Sequence, residues 1–97
     1  MKIERVTIVD DHIVSSFSRL IPQLTGNEKY PSREALEEVV RSENNFLFIA
    51  TIDGEVTGSL TLLFNRLVTG LKGWIEDVVV DEAARGKGVA TALIWHA

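Results

Sequence analysis

The chain has 97 residues, 45% of them hydrophobic and 25% charged, with a formal net charge of −4 and no cysteine. That length makes one domain with room for a core, near the lower end of comfortable domain size. Lack of cysteine excludes disulfides, a thiol nucleophile and a Cys-ligated metal site, and the acidic balance argues against general nucleic-acid binding, which needs a concentrated basic surface.

The start, Met-Lys-Ile-Glu-Arg, lacks the apolar stretch of a signal peptide, and no segment is long enough to span a membrane. No membrane partner is expected, and the default location is cytoplasmic. Ile3 to Val9 is rich in β-branched residues and reads as a first strand. Asp10 and Asp11 can cap a helix, whose Ile13, Phe17, Leu20, Ile21 and Leu24 follow at helical spacing. Pro22 and Gly26 predict that this helix ends in the early twenties. Residues 25–31 read as a polar loop containing Tyr30 and Pro31. Ser32 is the expected N-cap of a second helix over about 33–43, apolar at Leu36, Val39 and Val40, with Glu34, Glu37 and Glu38 in early turns that suit carboxylates.

Phe46 to Ile52 is a nearly continuous apolar run, the pattern of a strand buried on both faces. Asp53-Gly54 is a two-residue hairpin signal. Beyond it, Val56, Gly58, Leu60, Leu62 and Phe64 alternate with Thr57, Ser59, Thr61 and Leu63. A looser connection from Asn65 to Lys72 leads to a strand at Trp74–Val80. With no repeats or linkers, the reading is a single α+β unit in the order β-α-α-β-β-β-α, built on a mixed, mostly antiparallel sheet. In the last helix Val89, Ala90, Ala92, Leu93, Ile94, Trp95 and Ala97 leave only Thr91 and His96 polar, so it expects cover on several sides. A helix after a strand usually crosses over to a further parallel strand. The expectation is a partial domain over 1–97, C-terminally truncated, with a free strand edge at 74–80. That edge and the last helix could pair two copies in a two-fold homodimer.

The densest chemistry lies at 73–97. A strand carrying Glu76 and Asp77 runs into the basic, glycine-rich Arg85-Gly86-Lys87-Gly88, which opens a helix. This order puts backbone N–H groups and positive charge at a helix start, where a phosphorylated ligand can sit. A helix dipole contributes about 0.3–1 kcal/mol, far short of the roughly 8 kcal/mol behind micromolar binding. Several charge-assisted N–H bonds, each worth about 1.5–3 kcal/mol, could supply the rest. Amides from Gly86 to Ala90 can make them where side chains stay out of the way. The alternative is a plain glycine-bearing strand-to-helix turn with exposed basic residues.

Val78-Val79-Val80 followed by Arg85-Gly86-Lys87-Gly88-Val89-Ala90 resembles the acetyl-CoA signature of the GNAT N-acetyltransferase superfamily. Its form, Arg/Gln-x-x-Gly-x-Gly/Ala, is matched by Arg85, Gly88 and Ala90. The preceding element order is similar to the family's first half, and Ile75-Glu76-Asp77 resembles the glucosamine-phosphate N-acetyltransferase branch. The whole chain is covered in element order, but only 74–97 match specifically.

The resemblance implies acetyl-CoA as co-substrate, with its phosphates at 85–90 and its pantetheine arm along the edge of Val78, Val79 and Val80. It implies acetyl transfer to a primary amine of a small molecule. Glu76 and Asp77 are the candidates to take the amine proton. Successive strand side chains face opposite ways, so only one reaches a cleft unless a bulge intervenes; the bland alternative is that they discourage edge pairing. A backbone N–H near Val78 is the oxyanion donor by resemblance. The general acid of many relatives is a tyrosine beyond the next strand, outside 1–97, while Tyr30 belongs to the loop bordering the acceptor. His12 and His96 lack partners at metal-ligand spacing, so no metal is expected. The Glu-Asp pair hints at an amino sugar phosphate, with amino acids, polyamines, antibiotics and protein N-termini open. The competing readings are a non-catalytic, self-associating fragment and a CoA-binding module without turnover.

Overall fold

A computed structural model describes residues 1–97 as four strands and three helices: β1 (Lys2–Arg5), α1 (Asp11–Thr25), α2 (Arg33–Arg41), β2 (Asn45–Ile52), β3 (Glu55–Leu67), β4 (Gly70–Val80) and α3 (Val89–His96). The predicted β-α-α-β-β-β-α order holds. The strands lie in sequence order, β1-β2-β3-β4, and every neighbouring pair is antiparallel.

Both early helices begin where the capping residues predict. Asp10 accepts from the Ile13 N–H at 2.9 Å, and Ser32 accepts from the Ala35 N–H at 3.1 Å, each satisfying a donor the helix cannot use itself. Three boundaries differ from expectation. β1 stops at Arg5 rather than Val9: the Val6 N–H still bonds the Leu47 carbonyl at 2.8 Å, but the chain then turns so that Val6 and Val9 enter the core. α1 passes through Pro22 and ends only at Gly26, whose φ of 76° suits glycine and whose N–H bonds the Pro22 carbonyl. Burial of Ile13, Phe17 and Leu20 along one face carries the helix past the donor that proline lacks.

The third correction concerns Asn65 to Lys72. This segment is strand, not loose connection, and the pairs Asn65–Lys72, Arg66–Leu71 and Leu67–Gly70 continue the ladder to a two-residue turn at Val68-Thr69. β2 begins at Asn45, opposite Leu63, so the hairpin tip projects past it. With no core beneath it, the tip has no face to mark by alternation.

Asp53 and Gly54 take φ values of 52° and 80°, the type I′ geometry that matches strand twist. The apolar run of β2 is buried from both sides. Leu47 and Ile49 join a cluster with Ile13, Phe17, Leu20 and Leu36 under α1 and α2. Phe48 and Ala50 join one with Leu60, Val89 and Leu93 under α3. Gly58 sets how closely α3 approaches: a Cβ there would lie 2.7 Å from Val89 Cγ1 and 3.0 Å from the Val79 carbonyl oxygen. α3 is covered on this one side only. Leu93 is fully buried, whereas Trp95 is 84% exposed. No helix is long and apolar enough to cross a membrane.

Candidate active site

The β3–β4 ladder is regular except at one point. Ser59 pairs with Val79 and Thr61 with Glu76, so Asp77 and Val78 together oppose Leu60. This is a β-bulge, and Asp77 holds it with a φ of 51°, a left-handed conformation that aspartate tolerates better than most residues. Strand alternation is broken there. Val78 packs towards α3 and Val79 towards α1 and α2. Asp77 lines a cleft of about 220 Å³ between the sheet and those two helices, whose other walls include Phe17, Ile21, Leu36 and Val39. Register puts Glu76 opposite Thr61, another lining residue, and therefore on the same face. Of the two candidates, only Asp77 lines the cleft. Its carboxylate has no ion pair or hydrogen bond within the chain, and the Thr61 hydroxyl donates to nothing.

β4 is the open edge of the sheet. The Asp81 N–H bonds the Thr57 carbonyl at 2.8 Å. Alternation along an antiparallel ladder therefore turns the main-chain groups of Val80 to the open side.

After β4, a 3₁₀ turn at Glu82–Ala84 leads into the glycines. Gly86 and Gly88 have φ values of 86° and 77°, and an added Cβ at either would meet nothing within 4 Å. Glycine is needed for backbone conformation, and the space beside it is open. The Lys87 N–H is used, bonding the Ala84 carbonyl at 3.3 Å. The N–H groups of Gly86, Gly88, Val89, Ala90 and Thr91 have no acceptor in the chain, and α3 has no side-chain cap. They border a depression of about 250 Å³ lined by Val80, Ala84, Arg85, Gly86, Gly88, Val89, Ala90 and Thr91. The Val89 side chain is buried against Gly58, so only its main chain faces outward. Lys87 lines a different hollow, with Arg19 and Asp81. Thr91 was not singled out from sequence, although its position in the first turn of α3 marks its N–H as free.

The turn is anchored by a network that sequence reasoning missed. Arg19 on α1 donates from Nε to Asp81 Oδ2 at 3.0 Å and from a terminal nitrogen to the Val56 carbonyl. The Gln23 amide donates to Asp81 Oδ1 at 3.5 Å, and its oxygen accepts from the Glu82 N–H at 2.8 Å. Asp81 also accepts from the Ala83 N–H. Partial burial raises the Asp81 pKa, but the bonds from Ala83, Gln23 and Arg19 outweigh it and hold the carboxyl below its ordinary value. A network spanning residues 19 to 83 leaves no local sequence signal.

The donor set suits an oxyanion: unpaired amides around a glycine turn, with Arg85 lining the same depression. Val80, Arg85, Gly86, Gly88, Val89 and Ala90 are brought together here, Lys87 is not, and Val78 and Val79 lie further back along β4. No group of His, Asp and Glu side chains is arranged to hold a metal ion.

The fold is shared by solved structures. An aminoglycoside acetyltransferase from an uncultured soil metagenomic sample, in complex with sisomicin, superposes with a TM-score of 0.82 at 24% identity over 98% of this chain. The chain spans 65% of that protein's length. The aminoglycoside 6′-N-acetyltransferase of Acinetobacter haemolyticus gives 0.74 at 20% identity, covering 99% of this chain and 68% of the other. At these identities the likeness is one of fold. A Trypanosoma brucei acetyltransferase gives 0.72 at 29% identity, covering 98% and 71%. No curated protein sequence matches the chain. The model of one family matches residues 11–97, nearly the full length and including both the bulge and the glycine turn, and the chain belongs to that acetyltransferase (GNAT) family.

Proposed function

We propose that residues 1–97 form the front part of a GNAT domain that transfers acetyl from acetyl-CoA to a primary amine of a small molecule. The observation that carries this reading is the set of five unpaired main-chain N–H groups at Gly86, Gly88, Val89, Ala90 and Thr91, beside an open strand edge. In this reading those amides and Arg85 hold the diphosphate of the co-substrate, and outward main-chain groups of Val78 and Val80 pair with its pantetheine amides. Val79 and Val89 pack the strand and the helix that carry those groups, and Lys87 adds positive potential from the neighbouring face.

The bound thioester supplies an activated acetyl group. The amine nitrogen forms the new C–N bond as the C–S bond breaks, and the thiolate leaves to be protonated from solvent. The chain's contribution is to orient the amine and accept its proton at the Asp77 carboxylate, with Glu76 adding negative potential on the same face. A main-chain N–H near Val78, as the family resemblance implies, is the donor for the developing oxyanion.

Amide NMR of the 97-residue chain titrated with CoA tests the reading. The expected shifts fall on Gly86 and on Gly88 to Thr91. Ala90→Glu, which adds like charge at the depression, abolishes them without unfolding the chain. Shifts located elsewhere, or unchanged in that variant, overturn the assignment.

One feature favours self-association as a second reading. β4 is an unpaired edge on which Trp74 and Ile75 are exposed, and α3 leaves Ile94 and Trp95 in solvent. A homodimer pairing β4 strands covers both. Light scattering tests it: a mass that stays monomeric at high concentration removes the dimer.

A further inference from the structure

We infer that the cleft beside Asp77 takes a compact primary amine with an apolar body, rather than an amino sugar phosphate or a polycation; this rests on the acetyl-transfer reading above. Three observations lead there. The walls are apolar, with Phe17 and Ile21 from α1 and Leu36 and Val39 from α2, along with Pro31 and Ala35. The volume, about 220 Å³, lies below the roughly 300–1,000 Å³ of sites for drug-sized ligands.

The polar groups supply the third observation. They are Ser59, Thr61 and Asp77. Ser59 spends its hydroxyl proton on the Phe48 carbonyl at 3.0 Å, which leaves its oxygen to accept. The Thr61 hydroxyl is unpaired, and the Asp77 carboxylate only accepts. An alkylammonium carries three N–H donors and no acceptor, the complement of this set.

The same census argues against anionic and polycationic acceptors. No lysine or arginine lines the cleft. Arg19 of α1 is committed to Asp81, Glu55 and the Val56 carbonyl, and Arg33 at the start of α2 to Asp11, Glu37 and the Val9 carbonyl. A phosphate or carboxylate on the acceptor would enter an apolar, negatively biased pocket without a counter-charge. A polyamine or an aminoglycoside carries several ammonium groups, and one lining carboxylate leaves the rest unpaired.

The test is an amide NMR titration of the 97-residue chain with 2-phenylethylamine, glucosamine 6-phosphate and spermidine, each with and without CoA. The expected result is saturable shifts at Phe17, Leu36, Thr61 and Asp77 with 2-phenylethylamine, at an affinity about tenfold or more above the other two. Asp77→Asn keeps the left-handed backbone and lowers that affinity about tenfold; Thr61→Val, a second variant outside the bulge, lowers it several-fold. Equal or tighter binding of glucosamine 6-phosphate or spermidine overturns the inference, as does Asp77→Asn without effect. If CoA shifts Gly86 to Thr91 but no amine reaches the cleft, this inference fails alone. If the amine binds and CoA does not, the cleft assignment stands and the acetyl-transfer reading falls.

Discussion

Arg19 on α1 and Asp81 at the end of β4 are joined by a 3.0 Å charge-assisted hydrogen bond across 62 residues of sequence. The bond matters because Asp81 also caps the 3₁₀ turn that delivers the chain to Gly86 and Gly88. Helix, strand end and glycine turn therefore share one anchor. The loop has little core of its own, since only Ala84 and Val89 are buried between Asp81 and Ala90.

Removing that anchor loosens the turn more than it weakens the fold. Arg19→Met is expected to cost about 1–2 kcal/mol of stability, because the Arg19 side chain is 39% exposed and solvent screens part of the pair. CoA affinity falls several-fold in the same variant, although Arg19 does not line the depression. Arg19→Lys does not rescue it, since a single ammonium cannot reproduce the fork that reaches Asp81 and the Val56 carbonyl together. Urea unfolding and CoA titration on the same samples check both halves.

At Gly58 the expected effect is steric. A methyl group there meets Val89 Cγ1 at 2.7 Å and the Val79 carbonyl oxygen at 3.0 Å, and the latter is backbone that cannot rotate away. Gly58→Ala is expected to destabilise the chain by about 1–3 kcal/mol and to move α3 away from the sheet. Because α3 carries three of the five free amides and Gly88 caps it, CoA affinity falls as well. An unfolding midpoint equal to wild type would contradict the packing described for this helix.

Most of the architecture was legible because local chemistry and tertiary context agree. Asp10 and Ser32 cap the helices they were expected to cap, Asp53-Gly54 turns the hairpin, and the apolar run of β2 is covered on both faces. Misreadings fell where context overrode a local rule. Pro22 is held inside α1 by the burial of its neighbours, and the β3–β4 tip is strand without a core to pattern it. The glycine turn was readable from residue type alone. The bulge was not: Asp77 and Glu76 look alike in sequence, and only the register of β4 against Leu60 decides which one lines the cleft.

That bulge has its own energetic signature. At a φ of 51°, a β-branched residue brings Cβ against the backbone at a cost of about 1–2 kcal/mol, whereas asparagine and glycine take the conformation readily. Asp77→Val is therefore expected to lose about that much stability, and Asp77→Asn to stay within about 0.5 kcal/mol of wild type. Thermal or urea unfolding of the pair separates the backbone role of this position from the role of its carboxylate. Equal stabilities for the two variants would mean that the left-handed residue is not under local strain.

Acid offers the last test, and its sign follows from Asp81. Its carboxyl is held below the ordinary value by the Ala83 N–H, Gln23 and Arg19, against the opposing effect of burial. A carboxyl with a depressed folded pKa gives stability that is fully present above its unfolded value, about 3.9, and is lost as pH falls through the folded value. Wild type and Asp81→Asn should therefore differ most near neutrality, and the gap should close below about pH 4. Asparagine keeps an acceptor for the Ala83 N–H but gives Arg19 no charge, so what disappears with acid is the ionic share of the anchor. Urea midpoints for both proteins at neutral pH and at two acidic values measure it. A gap that stays constant down to the most acidic point would assign the stabilisation to neutral hydrogen bonding and remove Arg19 as its electrostatic source.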